Sequence, residues 1–232
     1  MVDAIRFFWK TRTEAAREQQ NRGVSDQGNR ASVTAGKNMD GFCEMVGRII
    51  EDNGIPETEI HAKGRTQQNI PGFYRPTKNW DLLVVHGTRL LAAIEFKSQV
   101  GPSFGNNFNN RVEEAIGNAI DLNTAFREGA FGDSQKPFIG YFFVLEACPK
   151  SLSPVRFSSP HFATFPEFTN TSYAARYEIL CRKLVLEGLY DSAALVLTKR
   201  DTAESGTWTN MSELTGAKRF ASVLAGRIAG MS

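Results

Sequence analysis

The sequence predicts an α/β fold of the α+β-like kind, a central mixed β-sheet flanked by helices, and three observations carry that expectation. Two β-rich runs, Trp80–Val85 and Leu90–Gln99, are joined only by His86-Gly87-Thr88-Arg89, the spacing of a hairpin. Phe138–Leu145 and Ala193–Thr198 are continuous apolar runs of strand length, as expected for strands buried on both faces. Helical patterns separate and flank these runs, so a hairpin must share its sheet with strands joined by helical crossovers.

In chain order, Asp3–Gln20 reads as a helix with a basic outer face. Asp40–Asn53 places Phe42, Met45, Val46, Ile49 and Ile50 on one helical face, and Gly54 closes it. A short edge strand is expected over Thr58–Ala62, then the hairpin. Asn110–Arg127 reads as a helix ended by Gly129, Ser172–Leu189 as another, and Ser212–Ala229 as the closing one. The Cys148–Thr171 loop is long for a compact domain, which points to contact or assembly. No repeat or linker interrupts the chain, so residues 1–232 are expected to form one domain.

Composition removes several classes. Cys43, Cys148 and Cys181 are far apart and form no CxxC pair, which suits a reducing cytoplasmic setting rather than a disulfide scaffold or a zinc site. No window approaches the roughly 18 consecutive apolar residues of a membrane span, and the first residues build no signal segment. Net charge is only +2 among 232 residues, but acids are missing from Gln27–Met39, Ile60–Trp80 and Phe96–Val112. These windows hold Arg30, Lys37, Lys63, Arg65, Arg75, Lys78, Lys97 and Arg111, and can give local positive potential in a nearly neutral protein.

The hairpin is where chemistry becomes specific. Glu95 and Lys97 stand at i and i+2, on one strand face, and Gln99 continues it. With Gly87-Thr88-Arg89 as a three-residue turn, His86 pairs with Leu90 and Asp81 falls opposite Glu95. Opposed carboxylates on one sheet face repel, and charges among apolar residues need partners or a metal. Oxygen-only ligands favour Mg²⁺ or a similar hard cation. Two carboxylates, a lysine and such an ion are the parts needed for phosphodiester hydrolysis.

Asp81 with Glu95-Phe96-Lys97 resembles the PD-(D/E)XK nuclease motif, with Trp80 in the proline position. The stretches Thr34–Phe42, Arg75–Leu83 and Glu95–Arg111 further resemble the XhoI-type restriction endonucleases. With Ser159-Pro160-His161-Phe162 and Tyr177–Cys181, the likeness runs nearly end to end. The resemblance implies a restriction-endonuclease-like PD-(D/E)XK fold and a homodimeric type II enzyme of a restriction–modification system. It implies Mg²⁺-dependent cleavage of palindromic double-stranded DNA at CTCGAG, after the first cytosine, leaving 5′ overhangs. Mn²⁺ is expected to substitute, and Ca²⁺ to support binding without efficient cutting. The catalytic roles fall on Asp81, Glu95 and Lys97. Related nucleases often add an acid from a preceding helix, for which Asp40 and Glu44 are the candidates, Asp40 favoured.

DNA contacts are expected from Lys37, Asn38, Arg75, Lys78, Gln99 and Ser103, and from the asparagine-rich loop holding Asn106, Asn107, Asn109, Asn110 and Arg111. Asparagine can read adenine and arginine guanine, while Asn109 or Asn110 could instead cap the helix that follows. His61, His86 and His161 are scattered, Ser98 and Ser103 have no paired base, and no phosphate-cradling glycine loop calls for a nucleotide cofactor. Two alternatives stay open at this point: a structure-selective or repair nuclease on the same fold, and a DNA-binding protein that does not cleave.

Overall fold

A computed structural model describes residues 1–21, 37–62 and 68–230. Arg30, Lys63 and Arg65 lie outside them. The described elements are helices α1 (Val2–Asn21), α2 (Asp40–Glu51), α3 (Gly105–Arg127), α4 (Pro149–Leu152), α5 (Tyr173–Leu186) and α6 (Ala217–Ala229). The strands are β1 (Ile60–Ala62), β2 (Asn69–Pro71), β3 (Thr77–Asn79), β4 (Leu82–His86), β5 (Arg89–Gln99), β6 (Phe138–Glu146), β7 (Ser192–Thr198) and β8 (Trp208–Asn210).

Six strands form one sheet in the order β1-β4-β5-β6-β7-β8, and β2 pairs with β3 in a small separate sheet. β1, β4 and β5 run antiparallel, β5, β6 and β7 parallel, and β8 antiparallel to β7. The sheet is mixed, as expected. β6 and β7 are buried at every position, which is why their sequences read as unbroken apolar runs. On one face Val84, Ala92, Ile94, Phe142 and Val196 pack with Phe8, Phe42, Val46, Phe220 and Leu224 of α1, α2 and α6. On the other, Leu83, Ala93, Tyr141, Phe143 and Leu195 pack with Ala115, Ala119, Leu122, Tyr177 and Leu184 of α3 and α5.

The hairpin reaches its expected register by a different route. Gly87, at φ 60°, makes a tight turn with Thr88, and His86 pairs with Arg89 rather than Leu90. The extra residue is absorbed by an irregularity between Val84 and Val85, beyond which Leu82 pairs with Ile94. One step further Asp81 comes to Glu95, so a bulge, not a three-residue turn, sets the pairing.

Other boundaries move for packing reasons. α3 begins at Gly105, not Asn110, so the asparagine-rich segment is its first turns and not a loop. Phe104, 3% exposed, stacks on Tyr173 and Phe108 packs edge-on against Tyr177, which offsets the weak helix propensity of asparagine. Its N-cap is Phe104, so neither Asn109 nor Asn110 caps it. The closing helix starts at Ala217 rather than Ser212, after the short strand β8 and an extended Gly216, and the Ala217 N–H donates to Asn210 Oδ1 at 3.2 Å. β2, β3 and β8 are three residues each and mostly exposed, too short to leave a periodic pattern. No described helix is long and apolar enough to cross a membrane.

Candidate active site

β5 carries Glu95, Lys97 and Gln99 on the face it shares with Ala93, toward α3 and α5. Asp81 enters from the start of β4 and is fixed by its neighbour strand: Asp81 Oδ2 accepts a hydrogen bond from the Phe96 N–H at 2.8 Å and lies 3.7 Å from Lys97 Nζ. Glu95 is 3% exposed. Lys97 Nζ donates to Glu95 Oε1, and Lys78 Nζ donates to Oε2 at 3.0 Å. Burial alone would raise the Glu95 pKa, but the charges and hydrogen bonds of Lys97 and Lys78 together outweigh it and hold the carboxyl below its ordinary value. Burial likewise opposes the Lys97 charge, yet Glu95 and Asp81 raise its pKa, with Arg111 acting against them. The site holds two carboxylates and two ammonium groups.

Glu44 is not brought to it, and Asp40, at the start of the same helix, forms no three-acid metal group with Asp81 and Glu95. α2 packs against the opposite sheet face through Phe42 and Val46, and the Glu44 side chain is 65% exposed and paired with Arg48 at 2.5 Å. Among the described residues no three His, Cys, Asp or Glu side chains gather as a metal-ligand group.

A family model, Restriction endonuclease XhoI, matches residues 18–210. The chain belongs to the XhoI restriction endonuclease family. It is 54% identical over 181 residues to the type II restriction enzyme XhoI of Xanthomonas vasicola, covering 78% of this chain and 72% of that one. It is 49% identical over 188 residues to the type II restriction enzyme BstVI of Geobacillus stearothermophilus, covering 79% and 83%. With the type II restriction enzyme AbrI of Azospirillum brasilense it shares 54% identity over 160 residues, covering 69% and 71%. No solved structure matches. By this membership the protein is an enzyme, a type II site-specific deoxyribonuclease.

On this XhoI-family scaffold the expected DNA contacts separate into two groups. Lys37, Ser103, Asn106, Asn109 and Asn110 are exposed, and Asn107 is half-buried with its amide donating to the Ser103 carbonyl at 2.8 Å. Arg111 lies close enough to Lys97 to act on its charge and pairs with Glu114 at 2.5 Å. Asn38 and Gln99 need correction, while Arg75, its side chain 40% exposed, and Lys78 are each held by an acid. Asn38, two residues ahead of α2, is 0% exposed, with both polar atoms of its amide buried. Gln99 is 5% exposed, its amide donating to the carbonyls of Val100 and Ser103, where it holds the bend into α3. Arg75 donates to Asp121 Oδ2 at 2.7 Å and Asn118 Oδ1 at 2.8 Å, tying the β2–β3 connection to α3. Lys78, expected to reach DNA, is held on Glu95 at 3.0 Å with its side chain 14% exposed.

Sequence reasoning missed Asp121. It is 3% exposed and also accepts from the N–H groups of Phe73 and Tyr74, both at 2.8 Å. Gly72 permits this contact, since a Cβ there would stand 2.7 Å from Asp121 Oδ2. An acid on a long helix gave no signal of such a role. The Lys78-Asn79-Trp80-Asp81 string did contain one: a lysine three residues ahead of the candidate acid Asp81.

Proposed function

We propose that this enzyme hydrolyses both strands of palindromic duplex DNA with the core CTCGAG, cutting after the first cytosine to leave 5′ overhangs, with Mg²⁺ as cofactor and as a homodimer. The observation that carries the reading is the convergence of Asp81, from the start of β4, with Glu95 and Lys97 of β5, in a chain of the XhoI family. The donor set suits a hard cation: two carboxylates, with water and phosphate oxygens for the rest, is how Mg²⁺ is usually held. Asp81 and Glu95 would hold it, and when bound it supplies polarisation of the phosphoryl oxygen and a more acidic water. Asp81 keeps its orientation through the Phe96 N–H, which donates to Oδ2 at 2.8 Å. Lys97, held as an ammonium between both carboxylates, would place positive charge against the scissile phosphate as negative charge builds there.

End-sequencing of cut plasmid reports site, cut position and symmetry at once. Asp81→Ala, Glu95→Ala and Lys97→Ala should each abolish cutting while the protein stays folded and still binds cognate DNA. Cleavage at unrelated sequences, or near-normal turnover by any of the three variants, would refute the assignment concerned.

A further inference from the structure

Lys78 is a charge in the site for which the hydrolysis above has no use. It comes from β3, outside the catalytic hairpin, yet its Nζ lies 3.0 Å from Glu95 Oε2 and its side chain is only 14% exposed. It stands 5.0 Å from the centre of the Trp80 ring and also donates to the Asn79 carbonyl at 2.7 Å. The second Glu95 oxygen accepts from Lys97. Both oxygens of the carboxylate are thus occupied by ammonium groups, and Asp81, Glu95, Lys78 and Lys97 sum to zero charge.

A divalent ion entering this cluster meets two positive charges and has to displace one from Glu95. Lys97 rises from the same strand two residues away and remains near Asp81, at 3.7 Å. Lys78 is the one free to leave. Its strand is three residues long, exposed at both ends, and belongs to the small sheet rather than the six-stranded one. A phosphate oxygen is an equivalent charged acceptor for its ammonium group.

We infer that Lys78 is an interlock between DNA and metal: without DNA it occupies Glu95 against a cation, and a DNA phosphate draws it off so that the metal can load. The inference rests on the metal-dependent reading above and assigns a positioning role to a residue outside the catalytic motif. By linkage, DNA and metal must then raise each other's affinity by the same factor, and that factor must shrink when Lys78 loses its charge.

Calcium binding measured by calorimetry, with and without an uncut CTCGAG duplex, tests this on a readout other than cleavage. Lys78→Met should bind calcium about tenfold more tightly than the wild type in the absence of DNA, a coupling of ordinary size, and should gain less on adding the duplex. Lys78→Gln, which keeps a donor for Glu95 but no charge, should move the same way and serves if the methionine variant does not fold. Lys78→Arg should behave as the wild type. Wild-type affinity for DNA-free calcium in both uncharged variants would overturn the interlock alone. If Glu95→Gln binds calcium in the duplex complex as well as the wild type does, the carboxylate site is misassigned and the interlock falls with it.

Discussion

Asp121 and Glu95 are buried carboxylates kept ionised by different partners, and both set a pH dependence. Burial tends to raise the Asp121 pKa, but the Tyr74 and Phe73 N–H groups and the Arg75 guanidinium hold it below the ordinary value. The folded pKa is depressed, so the ionised form stabilises above the unfolded-state carboxylate pKa, and that contribution is lost as pH falls through the folded value. Asp121→Asn should therefore cost about 2 kcal/mol at neutral pH, the worth of charge-assisted hydrogen bonds in a buried setting. Urea unfolding of both proteins should show the gap narrowing in acid, where the wild-type carboxyl protonates; a gap that ignores pH would contradict the charged role. Asp81, Glu95 and Lys97 were legible in the sequence because strand alternation and hairpin pairing leave their placement little freedom. The Lys78–Glu95 and Arg75–Asp121 contacts were not, since they join residues 17 and 46 apart through a small sheet that has no pattern of its own.

α3 is the element whose correction changes the functional argument. As a loop, its asparagines would have no defined mutual geometry; as the first turns of a helix, Asn106, Asn109 and Asn110 stand at i, i+3 and i+4 on one exposed face. The first turn carries no acid, and the helix N-terminus adds partial positive charge, so the face suits approach to a polyanion. Asn107 differs, because its amide already serves the Ser103 carbonyl. Alanine at Asn106, Asn109 or Asn110 should cost about 1–3 kcal/mol of discrimination at one base pair where it removes a base contact. Asn107→Ala should instead cost about 1 kcal/mol of stability and leave discrimination intact. Binding to single-base variants of CTCGAG at two salt concentrations checks this, and uniform weakening across all variants would make the stripe a phosphate contact rather than a reader. The helix was legible from its apolar positions onward; its first turns were not, because they are fixed by Phe104 and Phe108 packing on Tyr173 and Tyr177, more than sixty residues away by sequence.

At the scale of the whole molecule, a palindromic site has a two-fold axis, and a two-fold dimer offers one active site to each strand. The Cys148–Thr171 segment was read as a contact surface, and the exposed face of α1 is the other surface to weigh. In α1, Phe8 and Trp9 went into the core at 0% and 1% exposure, leaving Phe7 at 41% and Val2 at 42%. The other segment is richer: Leu152 at 46%, Phe157 at 46%, Phe162 at 83% and Phe165 at 71% exposure lie within a short stretch. Single exposed apolar side chains are ordinary, but three exposed phenylalanines within nine residues suit an interaction surface. The segment is also held in shape, by the Val155 N–H on the Thr171 carbonyl at 2.9 Å, Arg176 over the Phe157 ring at 5.3 Å and Lys183 over the Phe165 ring at 5.1 Å. Ordered aromatics lose little further side-chain entropy on docking, which favours association. Light scattering should therefore give about twice the 25.7 kDa chain mass, and Phe162→Asp with Phe165→Asp should shift it toward the single chain. Plasmid cutting should then slow at the second strand, so that nicked circles accumulate, while Phe7→Asp should have the smaller effect. A double variant that keeps the dimer mass would place the interface elsewhere, and a wild type that stays a single chain on DNA would remove the two-fold arrangement altogether.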